Sequence, residues 1–421
     1  MLVFYVILHE FGIIRMIPLK TGTCYRRWML VLLTLFGFTD LWAVDDSSYT
    51  LAEDSSNYII ASLLIISPTD EVYSVFGHCA FRMECPTHSL DYVFTYVSDT
   101  SIGGFATFFA GKAEAAFVAV PTEEYNAVMQ EQQRGIQQYE LNLTHHEKQE
   151  LWRNLDIDMV EGAHRKFNLL LSNCVSTTVE KIKESCIGEN LEWAPWEGSM
   201  LLNNGDLVRH NARRSPWAEF LFVSFLGTGY DDYYDQETRL CPEILIDVLS
   251  KASLVDQQTG SRRPVLTGRQ QVLLPESRVL SDMVVTPAAL FGVLLLIVVF
   301  LTFAEWKWHW LRPARWLDVT LFIAQSLLGI SLLYITCVSE IFGMLWNWYL
   351  IPFNPLPLLL WLILRKHKQY GRVYLLYTAV LVVMIALTPF IAQLDWTHQL
   401  ITAMLAIRCG SHAMRYLVQK R

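Results

Sequence analysis

The chain has 421 residues, 52% hydrophobic and 18% charged, with a formal net charge of -8 at pH 7 and a pI near 5.8. That length exceeds what one hydrophobic core organises, so at least two units are expected. The acidic balance, with basic residues confined to short runs, excludes a nucleic-acid surface.

Lys20, Arg26 and Arg27 precede an apolar run from Trp28 to Phe38, and Ala43 offers a small residue ahead of Asp45 and Asp46, the order of an export signal. Residues ahead of Met16 read as an over-extended start or an extra apolar leader. Region 1–43 is thus read as a signal and 44–282 as an exported domain. Stretches rich in Val, Ile, Tyr and Phe predict strands over Tyr58–Ile66, Val72–Met83 and Leu90–Val97. Period two sets His78 on the opposite side of its strand from Val75, Cys79 and Phe81. A helix is predicted from Pro121 to Gln138, entered through Thr122, and another over Glu147–Met159, opened by the capping box of Thr144 and Glu147. A third, capped by Ser172 or Asn173, carries Val175, Val179, Ile182 and Cys186 on one stripe, which puts Cys174 in or beside its first turn. From Arg209 to Leu274 the pattern is mixed and loop-rich.

Five apolar segments follow, Met283–Ala304, Val319–Val338, Ile341–Leu364, Val373–Leu394 and Trp396–Val418, so 283–421 is read as an all-α bundle of about five transmembrane helices. The fifth is interrupted by Arg408 and His412, which are expected to face the bundle. Asn347, Pro352, Asn354, Pro355 and Pro357 predict a broken outer half for the third. Lys307, Arg312 and Arg315 lie after the first span and Arg365, Lys366, Lys368 and Arg372 after the third. The positive-inside rule therefore places those loops in the cytoplasm and the domain before the first span outside, in agreement with the signal.

The exported part holds five cysteines, Cys79, Cys85, Cys174, Cys186 and Cys241, and an odd count leaves at least one thiol unpaired within the monomer. Cys174 is the candidate nucleophile, because a helix N-terminus lowers a thiol pKa and offers backbone N–H groups to an oxyanion. Its imidazole partner must come from His78, His88, His145, His146, His164 or His210. His145 and His146 belong to the first turn of a capped helix and His88 to a turn, whereas His78 sits on a strand after Gly77, which permits close backbone approach. Asp91, near the start of the next strand, is the candidate third residue, though it reads equally as a turn carboxylate. There is no phosphate-binding loop, nucleophile elbow or His-Glu-x-x-His pair, and the cluster Asp231, Asp232 and Asp235 lacks the spacing of a calcium loop. No metal or other cofactor is expected.

Ser74-Val75-Phe76-Gly77-His78-Cys79-Ala80-Phe81-Arg82 and Leu171-Ser172-Asn173-Cys174-Val175-Ser176-Thr177-Thr178 resemble the bacterial Lnb-type family of lipoprotein N-acyltransferases. The likeness continues through Asp91–Tyr96, Leu141–Thr144, Phe225–Gly227 and Cys241–Leu245, and more loosely through the spans; Cys79 and Val175 depart from the family's pattern. The resemblance implies an α+β exported domain of the permuted papain-like kind, shared with NlpC-type peptidases and lecithin:retinol acyltransferases, on a membrane domain. It also implies a bacterial inner-membrane enzyme with its N-terminal domain in the periplasm. Such an enzyme would move an acyl chain from a phospholipid donor through a Cys174 thioester to an amine, that of a lipoprotein acceptor, with His78 as acid and base. The rival readings are a cell-wall cysteine amidase or peptidase built on the same pair, and a membrane scaffold without catalysis.

Overall fold

The computed structural model describes residues 58–69, 71–72, 74–98, 102–162, 165–168, 172–194, 203–230, 241–277, 285–341, 346–356 and 370–420. The expected signal, His164, the acidic cluster of Asp231, Asp232 and Asp235, and 342–345 and 357–364 of the third expected span lie outside them.

In chain order the exported part forms β1 (Ile60–Ile66), β2 (His78–Cys85), β3 (Leu90–Ser98), α1 (Ile102–Phe109), β4 (Glu114–Pro121), α2 (Thr122–Glu131), β5 (Ile136–Leu141), α3 (His145–Val160), β6 (Arg165–Lys166), α4 (Cys174–Ser185), β7 (Glu189–Glu192), α5 (Asn204–Ala212), α6 (Pro216–Phe225), α7 (Pro242–Leu249), β8 (Ser253–Asp256), β9 (Arg262–Pro264) and β10 (Leu266–Leu274). Seven strands make one antiparallel sheet in the order β10-β5-β1-β2-β3-β4-β6. β1 is apolar apart from Ser62, whose hydroxyl accepts from Gln138 Nε2 at 3.1 Å, as befits a strand covered on both faces. On one face Leu63, Phe81 and Phe94 pack against Leu151 of α3, Val179 and Ile182 of α4 and Leu245 of α7. The other face carries Arg82, ion-paired to Asp91 at 2.7 Å and Glu84 at 2.9 Å, and is covered beside β3 and β4 by α2. The α+β class read from sequence is the one found.

Two local expectations are revised. The strand predicted from Val72 opens only at His78, because Val72 and Ser74 to Phe76 form turns, with amide bonds from Ser74 to Glu71 and from Gly77 to Ser74. Gly77 then takes φ 77°, and a Cβ there would stand 2.9 Å from the Ile66 carbonyl. The helix predicted to Gln138 stops at Glu131: Gln133 has φ 58°, and Ile136–Leu141 pairs with β1 and β10. A glutamine-rich stretch of good helix propensity yields here to two ladders. The capping boxes of Thr144 with Glu147 and of Asn173 with Ser176 both form.

The C-terminal part forms α8 (Pro287–Trp308), α9 (Leu311–Val338), α10 (Tyr370–Leu387) and α11 (Trp396–Lys420). Among the described residues, three stretches are long and apolar enough to cross a membrane: α8, α9 and Gly371–Phe390. At 22 residues α8 reaches about 33 Å. Between α9 and α10 the described residues are irregular, with one 3-10 turn at Trp348–Leu350, and Asn347 and Tyr349 are buried in protein, as the broken outer half predicts. α11 is one continuous helix whose Arg408, 0% exposed, is ion-paired to Asp318 of α9 at 2.6 Å and Glu305 of α8 at 2.8 Å. His412 meets Asp318 and Arg415 meets Glu305, each at 2.8 Å.

The exported and membrane parts share one core, in which Val75, Phe109, Phe222 and Phe225 are continuous with Phe322, Leu332, Tyr349 and Leu405. The polar groups at this joint are matched. Asn347 Nδ2 donates to the Ser224 carbonyl at 2.7 Å, Gln393 Nε2 to the Leu226 carbonyl at 2.9 Å, and the Thr228 amide to the Trp346 carbonyl at 2.8 Å. Ser224 Oγ lies 2.7 Å from His398 Nε2, whose Nδ1 lies 2.8 Å from Asp395 Oδ1, the distances of a hydrolase triad. Yet Ser224 is 1% and His398 0% exposed, and the ring is stacked between Phe220 and Tyr349 at 4.3 and 4.2 Å. Buried and stacked in this way, the array clamps α6 to α11.

Replacing Arg408 by Met would remove the fully buried cation that bridges the two carboxylates and leave Glu305 to Arg415 and Asp318 to His412, at a cost of about 3–5 kcal/mol. Thermal unfolding in detergent should show a large fall in Tm for Arg408→Met and a smaller one for Arg415→Met, whose guanidinium is partly exposed.

Candidate active site

Cys174 is the first residue of α4, and Asn173 holds it there. Asn173 Oδ1 accepts from the amides of Val175 at 2.9 Å and Ser176 at 3.1 Å, while the Asn173 amide donates to Ser176 Oγ at 2.9 Å. This cap narrows what the helix start can offer an oxyanion, since the Val175 and Ser176 amides are already engaged. Among the described residues, the Cys174 amide is the first-turn donor without an acceptor.

His78 opens β2 immediately after the turn at Gly77 and lies in hydrogen-bonding reach of Cys174. The adjacent Cys79 reaches the same sulfur with its side chain and its backbone amide. The Cys174 thiol is held well below its ordinary value: the hydrogen bond with Cys79 and the opposing burial are the largest influences, and His78 adds its charge and a further hydrogen bond. Cys79 moves the other way, pushed well above the usual thiol range by burial and by the neighbouring sulfur of Cys174. Its Sγ also lies 3.4 Å from Thr178 Oγ1, one turn along α4. The two thiols are thus pushed in opposite directions, Cys174 down and Cys79 up. Burial raises Cys186 to about 12 and Cys241 to about 11. Cys174 is half-buried, whereas Cys79, Cys85, Cys186 and Cys241 are buried, and all five are free thiols.

The structure does not bring Asp91 to His78. Asp91 pairs with Glu84 across the β2–β3 ladder, six positions from His78 and so about 20 Å along the strand. Its carboxylate accepts from Arg82 Nε at 2.9 Å and Nη2 at 2.7 Å and from Thr122 Oγ1 at 2.5 Å, which holds it below the usual carboxylate range against the effect of burial. The group on the His78 ring is Thr95, whose Oγ1 is 2.8 Å from Nε2. Nε2 is thereby engaged, and Nδ1 is the ring nitrogen left for Cys174. Thr95 is in turn hydrogen-bonded to the Tyr125 hydroxyl, a fully buried phenol that burial pushes up to about 12.

The other histidines lie elsewhere. His88 Nδ1 meets Cys85 Sγ at 3.2 Å at the far end of β2, and the His145 ring packs on Tyr58 with centroids 4.8 Å apart. His146 lies in the first turn of α3 and His210 in the last turn of α5. Glu147, Cys186 and Glu189 gather within 4.8 Å, a spacing open to a metal, but Arg263 Nη2 donates to both carboxylates at 2.6 Å and supplies the positive charge there. Cys79, Thr95 and Tyr125 are the site residues that sequence reasoning did not assign. Placing Thr95 needs the β2–β3 register, in which it stands opposite Ala80.

Two family models match the chain: the Lnb N-terminal periplasmic domain over residues 47–199 and the Lnb transmembrane domain over residues 279–420. The chain belongs to the Lnb family. Neither the curated proteins nor the solved structures give a significant match. His78 and Cys174 both fall within the periplasmic match and the buried Arg408 cluster within the transmembrane one. Membership makes this a membrane protein of lipoprotein biogenesis with a periplasmic N-terminal domain.

A depressed thiol reacts as thiolate at pH values where ordinary cysteines do not. At about pH 6.5, iodoacetamide should label Cys174 at least about tenfold faster than Cys79, Cys186 or Cys241, as read by peptide mass spectrometry. Asp91→Asn should lower the thermal stability of the protein and leave that labelling rate unchanged.

Proposed function

We propose that this Lnb-family protein is a thiol acyltransferase in which Cys174 takes a fatty acyl chain from a phospholipid ester and passes it to an amine, the N-terminal amine of a lipoprotein. The observation that carries the reading is Cys174 beside His78 at a capped helix start, in a domain that shares its core with the membrane bundle. In the first half-reaction the Cys174 sulfur bonds to the ester carbonyl carbon, the ester C–O bond breaks, and the departing alkoxide takes its proton from the His78 imidazolium. In the second the amine nitrogen attacks the thioester, the C–S bond breaks, and His78 receives the amine's proton. The Cys174 amide is placed to meet the oxyanion that forms in both.

The membrane gives this chemistry its reason for being tethered. Burial of an alkyl chain is worth about 0.8 kcal/mol per CH2, so bringing a whole chain into water would cost on the order of 10 kcal/mol. The joint at α6 keeps the domain that carries Cys174 on the bundle, where that transfer is not required. A peptidoglycan amidase built on the same pair would gain nothing from such a joint.

The test is a covalent adduct. Purified protein in detergent, incubated with phospholipid, should acquire a hydroxylamine-labile acyl group on Cys174, seen by intact and peptide mass spectrometry and lost on addition of an amine-bearing lipopeptide. Cys174→Ala should abolish the adduct and His78→Ala should slow its formation by at least about a hundredfold. Absence of an adduct, together with cleavage of peptidoglycan fragments, would turn the reading to an amidase.

A further inference from the structure

We propose that Thr95 is a positioning residue that keeps a proton on His78 Nε2 and so turns Nδ1 toward Cys174, with Tyr125 behind it holding the Thr95 hydroxyl. The inference deepens the Cys174–His78 reading and rests on it. Its ground is geometric. Thr95 Oγ1 stands 2.8 Å from Nε2 on the neighbouring strand, Thr95 is 5% exposed, and Tyr125 is 4% exposed. Asp91, the carboxylate that the sequence offers for this task, is committed to Arg82 and Thr122.

A hydroxyl has one proton and two lone pairs. In the proposed arrangement the Thr95 proton points to the Tyr125 oxygen, so that Thr95 presents a lone pair to His78 and the ring nitrogen facing it carries the hydrogen. Nε2 therefore stays protonated through the cycle. Nδ1 alone shuttles the proton, to the alkoxide in the first half-reaction and from the amine in the second. A neutral acceptor suits this place better than a carboxylate in one respect. It fixes the tautomer without adding a second negative charge beside a thiolate that already has to be stabilised.

The titratable groups around the pair are Cys79 on β2, Tyr96 on β3, Tyr125 on α2 and Cys241 at the start of α7, with Arg134 the cation facing Tyr125. Burial pushes all four of these groups upward, which leaves Cys174 as the thiol of the site that is held down.

The experiment follows the rate of Cys174 alkylation by iodoacetamide against pH in the full-length protein, a readout that needs no substrate. In wild type the rate should persist well below the ordinary thiol range. Thr95→Val, which keeps shape and removes the hydroxyl, should shift the titration up by about one unit, a roughly tenfold slower reaction at about pH 6.5. Thr95→Ser should restore the wild-type profile, and Tyr125→Phe should give an intermediate shift. Melting curves identify any variant that fails to fold, and Tyr125→Phe then decides for Thr95→Val. A wild-type Cys174 that titrates as an ordinary thiol would overturn the nucleophile reading itself. A wild-type profile in both Thr95→Val and Tyr125→Phe, or failure of a folded Thr95→Ser to rescue, would overturn the positioning role alone.

Discussion

Backbone groups at the mouth of a membrane bundle must find hydrogen-bond partners in protein, because the hydrocarbon offers none. Here they find them on the exported domain. The carbonyls that end α6 accept from Asn347 and Gln393 of the outer loops, the Trp346 carbonyl accepts from Thr228, and the Ala110 carbonyl after α1 accepts from Glu340. The aromatic side chains of α1 and α6 fill the space between these bonds. A soluble domain tethered by one linker would tumble; this one is built into the bundle by polar and apolar contacts together.

That joint reaches the candidate site through very few residues. Val75 and Phe76 belong to the shared core, Gly77 turns the chain, and His78 is the next residue. Fixing Val75 and Phe76 against the bundle therefore also fixes where the ring of His78 begins. On the other side of the sulfur, the Asn173 cap fixes the first turn of α4, and Thr178 reaches Cys79 one turn later. The site thus has one support in the membrane joint and another in the core of the exported sheet.

Much of this was legible in the residues. The thiol at a helix start, the capping signals, the strand that carries His78, the charged fifth segment turned inward and the broken third segment all follow from local chemistry. Local signals failed where pairing decided the outcome. Gln133–Gln138 has helical composition, but Ile136–Leu141 gains two strand partners, and Val72–Phe76 looks like strand but is drawn into a second core. Asp91 failed as the third residue for the same reason. Its sequence distance from His78 is short, yet the antiparallel ladder sends it to the far end of the strand and brings Thr95 to the ring instead. Only the register of β2 against β3 carries that information, and register is a property of the folded sheet.

Arg408 has a consequence for how the protein is made. A buried arginine in a largely apolar helix is costly unless it is paired, and Arg408 is paired beside the loop that joins α8 to α9, with Glu305 in the last turn of α8 and Asp318 near the start of α9. Its two carboxylate partners, Glu305 and Asp318, lie on α8 and α9, which precede α11 in the chain. The acidic pair thus precedes its cations in the chain, and the ion pairs of Arg408, His412 and Arg415 reward α11 for settling against α8 and α9 over any other place.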